Sequence, residues 1–129
     1  IYNKAFCIPS SIPYTSDRIM VHITEGQFDI ISVYNNIANR ATGIYFAAAG
    51  NKYSAVLKYI LSKGIMYMDI HLYFDNDSAG EIAKRQIEYF IKNNIAFFRG
   101  SRVFAHVNQA DKDYGVPLSK IQDFCIQII

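Results

Sequence analysis

The chain has no tryptophan, only two cysteines, and no apolar run long enough to cross a membrane. Its apolar stretches fall well short of the about 20 residues a spanning helix needs, and no signal peptide opens the sequence. Cys7 and Cys125 stand near opposite ends and belong to no CxxC or Cys/His set. They indicate neither a zinc cluster nor a disulfide framework, and two lone buried thiols in a reducing cytosol are expected. The formal net charge of +2 is too small to identify a nucleic-acid binder from charge alone. There is no Walker-type phosphate loop, so no helicase motor lies within these residues. Internal repeats and low-complexity tracts are also lacking. What is present is a globular composition: 51% apolar and 19% charged residues, with ten tyrosines and nine phenylalanines. At 129 residues that is one domain with a real core. The first residue is Ile1 rather than methionine, and a trimmed chain or a piece of a longer polypeptide is expected.

Residues 1–17 read as an N-terminal extension, a short edge strand followed by a loop around Pro9 and Pro13. Residues 18–24 (RIMVHIT) form a β-rich run, after which Phe28, Ile31, Ile37 and Ala38 repeat at helical spacing to about Arg40. Residues 43–49 (GIYFAAA) are short, apolar and unalternating, as in a strand buried on both faces. Tyr53, Val56, Leu57, Ile60 and Leu61 predict a second helix closed by Gly64. Residues 65–69 connect it to a strand over 70–74, and Ser78 is expected to cap a third helix running to Asn93. Residues 95–98 and 102–107 are the last strand candidates, 111–115 a polar turn, and 117–129 a closing C-terminal helix packed on the domain. Strand and helix thus alternate, which predicts an α/β fold with a mainly parallel sheet of about four core strands and helices on both faces.

Acids gather where this reading ends its strands. Asp75 and Asp77 follow the run 70–74 directly, and Glu25 follows the run 18–24. Aspartate is poor within a strand and comfortable just beyond it, so these three share one rim of a parallel sheet. Asp29 lies one helical turn past Glu25, and Asp111 and Asp113 follow the strand at 102–107. Such carboxylates repel one another, and Lys112 is the one basic residue among them. They require protons or a cation, and a divalent metal is the common solution. Each also has a plainer role: Asp29 as a first-turn acid favourable to the helix dipole, Asp77 as an N-cap, Asp111 as a solvated loop acid. His22, His71 and His106 fall mid-strand, where buried, hydrogen-bonded histidines need no function. Lys52, Lys58, Lys84, Arg85 and Lys92 read as solvated helix faces, and Tyr34, Tyr45, Tyr53, Tyr59 and Tyr67 as core and interface aromatics.

The motif Glu25-Gly26-x-x-Asp29, followed by Asp75-x-Asp77-x-Ala79-Gly80, resembles the Toprim domain. This domain is found in bacterial-type (DnaG-like) primases, type IA and type II topoisomerases, RNA-maturing nucleases and OLD-type nucleases. The spelling of both motifs and the later Lys112-Asp113 are most similar to the primases of phages and mobile elements, over about residues 18–116. The Tyr114-Gly115-Val116-Pro117 that follows departs from the second acidic pair of many phage relatives.

The resemblance implies a Rossmann-like Toprim fold binding Mg²⁺ or Mn²⁺ through Glu25, Asp29, Asp75, Asp77 and Asp113. Glu25, Asp75 and Asp77 would be catalytic, and Gly26, Ala79 and Gly80 would leave room for a phosphate. It further implies a nucleotidyltransferase that makes RNA primers on single-stranded DNA from nucleoside triphosphates during DNA replication. The setting would be the cytoplasm of a bacterium, or of the host of a phage. A zinc-binding module and a further catalytic subdomain would lie elsewhere in a longer chain, a replicative helicase would be a further partner, and the isolated domain would be inactive. Two alternatives stay open: a Toprim nuclease using the same acids with water as nucleophile, and a non-catalytic Rossmann-like interaction module. A receiver-type module would place a lysine at the end of the last core strand, where Asn108 stands instead.

Overall fold

Short β-branched runs and helical repeats alternate along the chain, and the fold resolves them into one sheet clothed by helices on both sides. The structure is a computed structural model, and it describes residues 6–8 (backbone alone), 18–36, 43–48, 53–62 and 67–129. The elements in order are β1 (Phe6–Ile8), β2 (Ile19–Thr24), α1 (Gln27–Asn36), β3 (Gly43–Ala47), α2 (Tyr53–Ser62), β4 (Met68–Phe74), α3 (Ser78–Asn93), β5 (Arg102–Asn108) and β6 (Asp123–Gln127). The strands lie in the order β1-β3-β2-β4-β5-β6. The four central strands are parallel, and β1 and β6 close the two edges antiparallel.

This order explains the two-sided cover. From β2 the chain steps to β3 through α1, then reverses over β2 to reach β4 through α2. Crossovers share one hand, so reversing direction sends the helices to opposite faces. On one face α2 and α3 press Tyr53, Val56, Leu57, Ala83, Ile87 and Ile91 onto Val21, Ile23, Ile70, Leu72 and Val103. On the other, Ile30 and Val33 of α1 pack with Tyr45, Ala47, Tyr73 and Tyr114. The sheet's period of two sends alternate side chains to each core, which is why the central strands read as continuous apolar runs.

The α1 face is the unusual one. Tyr45, His22, His71 and Phe104 are cross-strand neighbours in a single row. Their rings stack with centroids 4.9, 5.0 and 4.8 Å apart. The mid-strand histidines are core residues, as expected. Burial and the neighbouring imidazoles lower His22 to about 3 and His71 to about 4, so both are neutral at physiological pH. The Nε2 atoms of both are buried without a hydrogen-bond partner among the described residues. His106 instead points its Nδ1 at Asp123, 3.0 Å away, with its Nε2 2.8 Å from His71 Nδ1.

The C-terminal segment differs from the expected helix. Pro117 and a short 3₁₀ turn at Leu118–Lys120 halt the chain, and β6 then pairs with β5. In Phe124, Ile126 and Ile128, alternating with Cys125 and Gln127, the period is two rather than 3.6. The domain therefore does not end near residue 116, because its last strand is part of the same sheet. Cys125, on this edge strand, is exposed rather than a buried thiol; the Cys7 side chain is outside the described residues. Residues 95–98 form a 3₁₀ turn instead of a strand, since Phe98 alone reaches the core while Ile95 and Phe97 face solvent. β4 begins at Met68, two residues earlier than expected. The interruption is Asp69, which a strand tolerates because Arg102 grips both its oxygens and Arg18 adds a third contact at 3.0 Å. The expected end of the first helix near Arg40 and the Gly64 cap fall outside the described residues. So does Lys52, while Lys58, Arg85 and Lys92 are exposed as solvated helix faces. Tyr45 and Tyr53 are core residues, but Tyr59 and Tyr67 are exposed.

Candidate functional site

The reversal between β2 and β4 marks the point where a crevice opens at the carboxyl ends of an open α/β sheet. Thr24 and Tyr73 are the last paired residues of these neighbouring strands, and the next side chains along them include Glu25 and Asp75. Glu25 and Asp75 stand beside each other at the tips of these strands, close enough for the charge of one to act on the other. Burial first, then the charges of Glu25, Asp29 and Asp113, raise Asp75 to about 7. Asp29, in the first turn of α1, is raised to about 6 by burial and by Asp113, against hydrogen bonds from the Gly26 and Gly115 amides. The Gly26 N–H lies 3.3 Å from Asp29 Oδ2, so the Glu-Gly-x-x-Asp spacing turns both acids to one rim. The same field reaches Tyr53, whose buried hydroxyl donates to the Tyr73 carbonyl at 2.7 Å.

Four of the six acids expected at this rim therefore gather: Glu25, Asp29, Asp75 and Asp113. Asp77, at the same rim, also caps α3. Its Oδ1 accepts the Gly80 N–H at 2.8 Å as the N-cap of α3, and its Oδ2 faces Lys112 Nζ at 3.8 Å. The cap is thus Asp77 and not Ser78. Asp111 turns back on its own loop, accepting the Lys112 N–H. Gly80, expected to leave room for a phosphate, gives its amide to Asp77. Gly80 has a different necessity, because a Cβ there would stand 1.8 Å from the Asp75 carbonyl oxygen.

Asp113 reaches the cluster on a loop without regular structure, and the residue that places it is Asn108. Fully buried at the end of β5, its Nδ2 donates to the carbonyls of Asp113 and Lys120, and its Oδ1 accepts the amides of Ala110 and Gln122. Asn76 binds the same loop from the other side, its amide donating to the Lys112 carbonyl and its side chain to the Asn108 carbonyl. Tyr114 and His106 both bond to Asp123, fastening the loop to β6. Nothing in the residue pattern marks Asn108 as a scaffold; its position just inside the acidic rim is the one signal available. Asn108→Ala should cost about 2–4 kcal/mol, since several buried backbone groups lose partners at once. Urea unfolding would measure that loss, and faster hydrogen exchange of the 109–122 amides would locate it.

Among the described residues, no three His, Cys, Asp or Glu side chains stand in a geometry that would hold a metal ion. The donor chemistry nevertheless fits one. Glu25, Asp29, Asp75 and Asp113 offer only hard oxygens, suited to Mg²⁺ or Mn²⁺ over softer metals. Two of these acids are raised towards neutrality by burial and mutual repulsion, and a cation would relieve that repulsion.

The fold and this rim define an open α/β domain with an acidic cluster at its switch point. Residues 22–113 match the model of a family described as Toprim-like, and the chain belongs to that family. Comparisons with curated proteins and with solved structures each found no match. Membership assigns the domain to metal-dependent enzymes of nucleic acids, a group spanning primases, nucleases and topoisomerases, whose Toprim domains bind divalent metals such as Mg²⁺. No helix among the described residues is long and apolar enough to cross a membrane.

Proposed function

We propose that this domain is the metal-binding half of a primase active site, making RNA primers on single-stranded DNA. The observation that carries the reading is the convergence of carboxylates at the switch point: Glu25 and Asp75 follow the adjacent ends of β2 and β4, and Asp29 and Asp113 both approach Gly115 beside them. The primase choice within the family rests on the Glu25-Gly26-x-x-Asp29 spelling and on Lys112-Asp113, most similar to phage and mobile-element primases. Zinc-binding and further catalytic subdomains of a longer chain, a replicative helicase and a bacterial or phage-host cytoplasm belong to the same proposal.

Glu25, Asp75, Asp29 and Asp113 would hold one or two divalent ions. Bound there, the metal would supply positive charge to the phosphate oxygens in nucleotidyl transfer. Glu25, beside Asp75, would serve either as a ligand or as the base that accepts the proton of an attacking hydroxyl. Asp29 orients through the Gly26 amide, and Tyr53 closes the dry side. Asp77 contributes by fixing the start of α3 beside Asp75.

The polypeptide carrying this domain, given single-stranded DNA, nucleoside triphosphates and Mg²⁺ or Mn²⁺, should synthesise labelled primers, and Glu25→Gln should abolish the product. Metal-dependent degradation of the template without primer synthesis would instead identify a nuclease.

A further inference from the structure

The sheet has one uncovered strip. On the face carrying α2 and α3, α3 packs on Val103 of β5 but leaves the β5–β6 edge beyond it open, and a trough of about 210 Å³ runs between α3 and β6. Its floor is Ala105 and Val107, and its outer wall is Phe124 and Ile126, paired in register with them. Phe124 is 45% exposed and Ile126 39%, an apolar surface left open to solvent. The inner wall is the first turns of α3, where Glu81 offers an acceptor and Lys84 a donor. One end opens on Asp75-Asn76-Asp77, so the trough is continuous with the carboxylate cluster.

We propose that this trough is a nucleobase subsite, holding one base of the strand whose phosphate lies at the carboxylates. The inference rests on the reading of the cluster as a nucleic-acid site. The volume lies below the about 300–1,000 Å³ of pockets that enclose drug-sized ligands, and matches a single flat ring system. An aromatic ring beside aliphatic side chains is a stacking platform, indifferent to base identity because every base has a π-face. Glu81 and Lys84 stand on the opposite wall, where a base presents its polar edge. A flat apolar body suits the trough, and the cation proposed for the carboxylates would receive an anionic phosphate at its mouth. A polypeptide helix is too wide for a space of this size.

The test compares two short oligonucleotides of equal length and charge, one with bases and one abasic, binding to the polypeptide that carries the domain. Each titration is run in EDTA and in Mn²⁺. The base-bearing strand should bind more tightly in both conditions. Phe124→Ala should weaken it roughly tenfold, within the range one stacked base contributes, and leave the abasic strand unaffected. Phe124→Tyr should restore the difference. Equal binding of the two strands, no binding of either, or wild-type discrimination by Phe124→Ala would overturn the proposal. So would self-association that Phe124→Ala abolishes, which would give the apolar wall to a second copy. Mn²⁺ binding measured on the same samples separates the two ideas. Loss of metal binding with base discrimination intact counts against the metal centre alone; metal binding without discrimination counts against the trough alone.

Discussion

Asp75→Asn is expected to make the metal-free protein more stable at pH 8 while abolishing its affinity for Mn²⁺. The two effects have one origin. In the folded chain Asp75 is raised from 3.8 to about 7, so between those values the folded state holds a proton that the unfolded state has released. Stability therefore falls as pH rises through that window, and above pH 7 the folded chain carries an ionised carboxylate among like charges. A shift of this size corresponds to at most about 4 kcal/mol, at about 1.4 kcal/mol per unit. Asp75 is only half-buried, and solvent screening reduces this to on the order of 2 kcal/mol. Asparagine keeps the shape and removes the charge.

Urea unfolding in EDTA should show the variant ahead of wild type at pH 8, with the lead shrinking through pH 5 and nearly gone at about pH 3.5. Calorimetric titration should show Mn²⁺ affinity reduced by more than about 100-fold, beyond what altering an outer partner of a metal site costs. His22 and His71 titrate in the opposite sense, costing stability as pH falls below 6.5, but both proteins share them and the difference cancels. Unchanged Mn²⁺ affinity would remove Asp75 from the metal site, and a variant no more stable at pH 8 would mean the acids do not strain the fold.

The second large effect is a methyl group. Alanine at a helical glycine normally stabilises by about 1 kcal/mol. At Gly80 the sign should reverse, because the new Cβ would stand 1.8 Å from the Asp75 carbonyl oxygen and 2.7 Å from its carbon. Backbone offers no rotamer to yield, so α3 must move away from the tip of β4. A loss of about 3 kcal/mol or more is expected for such overpacking. Because the displaced residue is Asp75, Mn²⁺ affinity should fall together with stability, although Gly80 has no side chain to bind anything. A Gly80→Ala protein unfolding at the wild-type urea concentration would show that the first turn of α3 adjusts freely.

Much of this centre was legible because its signals are local. Glu25 and Asp75 end strands that are adjacent and parallel, so their meeting follows from strand order, and Asp29 follows from one helical turn. The parallel core was legible for the same reason: unalternating strands separated by amphipathic helices leave few topologies. The misreadings arose where short-range and long-range preferences compete. Residues 123–129 carry enough isoleucine to fit either period, and only the open edge of β5 selects the strand. Asn108 was invisible because its four hydrogen bonds go to backbone groups, which no residue pattern reports.

The position of Asn108 bears on what has to be kept when this chemistry is inherited. The match to the family stops at residue 113, among the acids themselves, yet the groups that hold Asp113 in place continue through Lys120 and Gln122 to Asp123. The reactive motif and the smallest piece able to present it are therefore of different lengths. Keeping the acids in place therefore constrains β6 at Asp123, whose carboxylate fastens the loop, while the rest of the strand need only return to the edge of the sheet. Most of this strand is under a constraint of arrival, set by where it lands rather than by which residues make it.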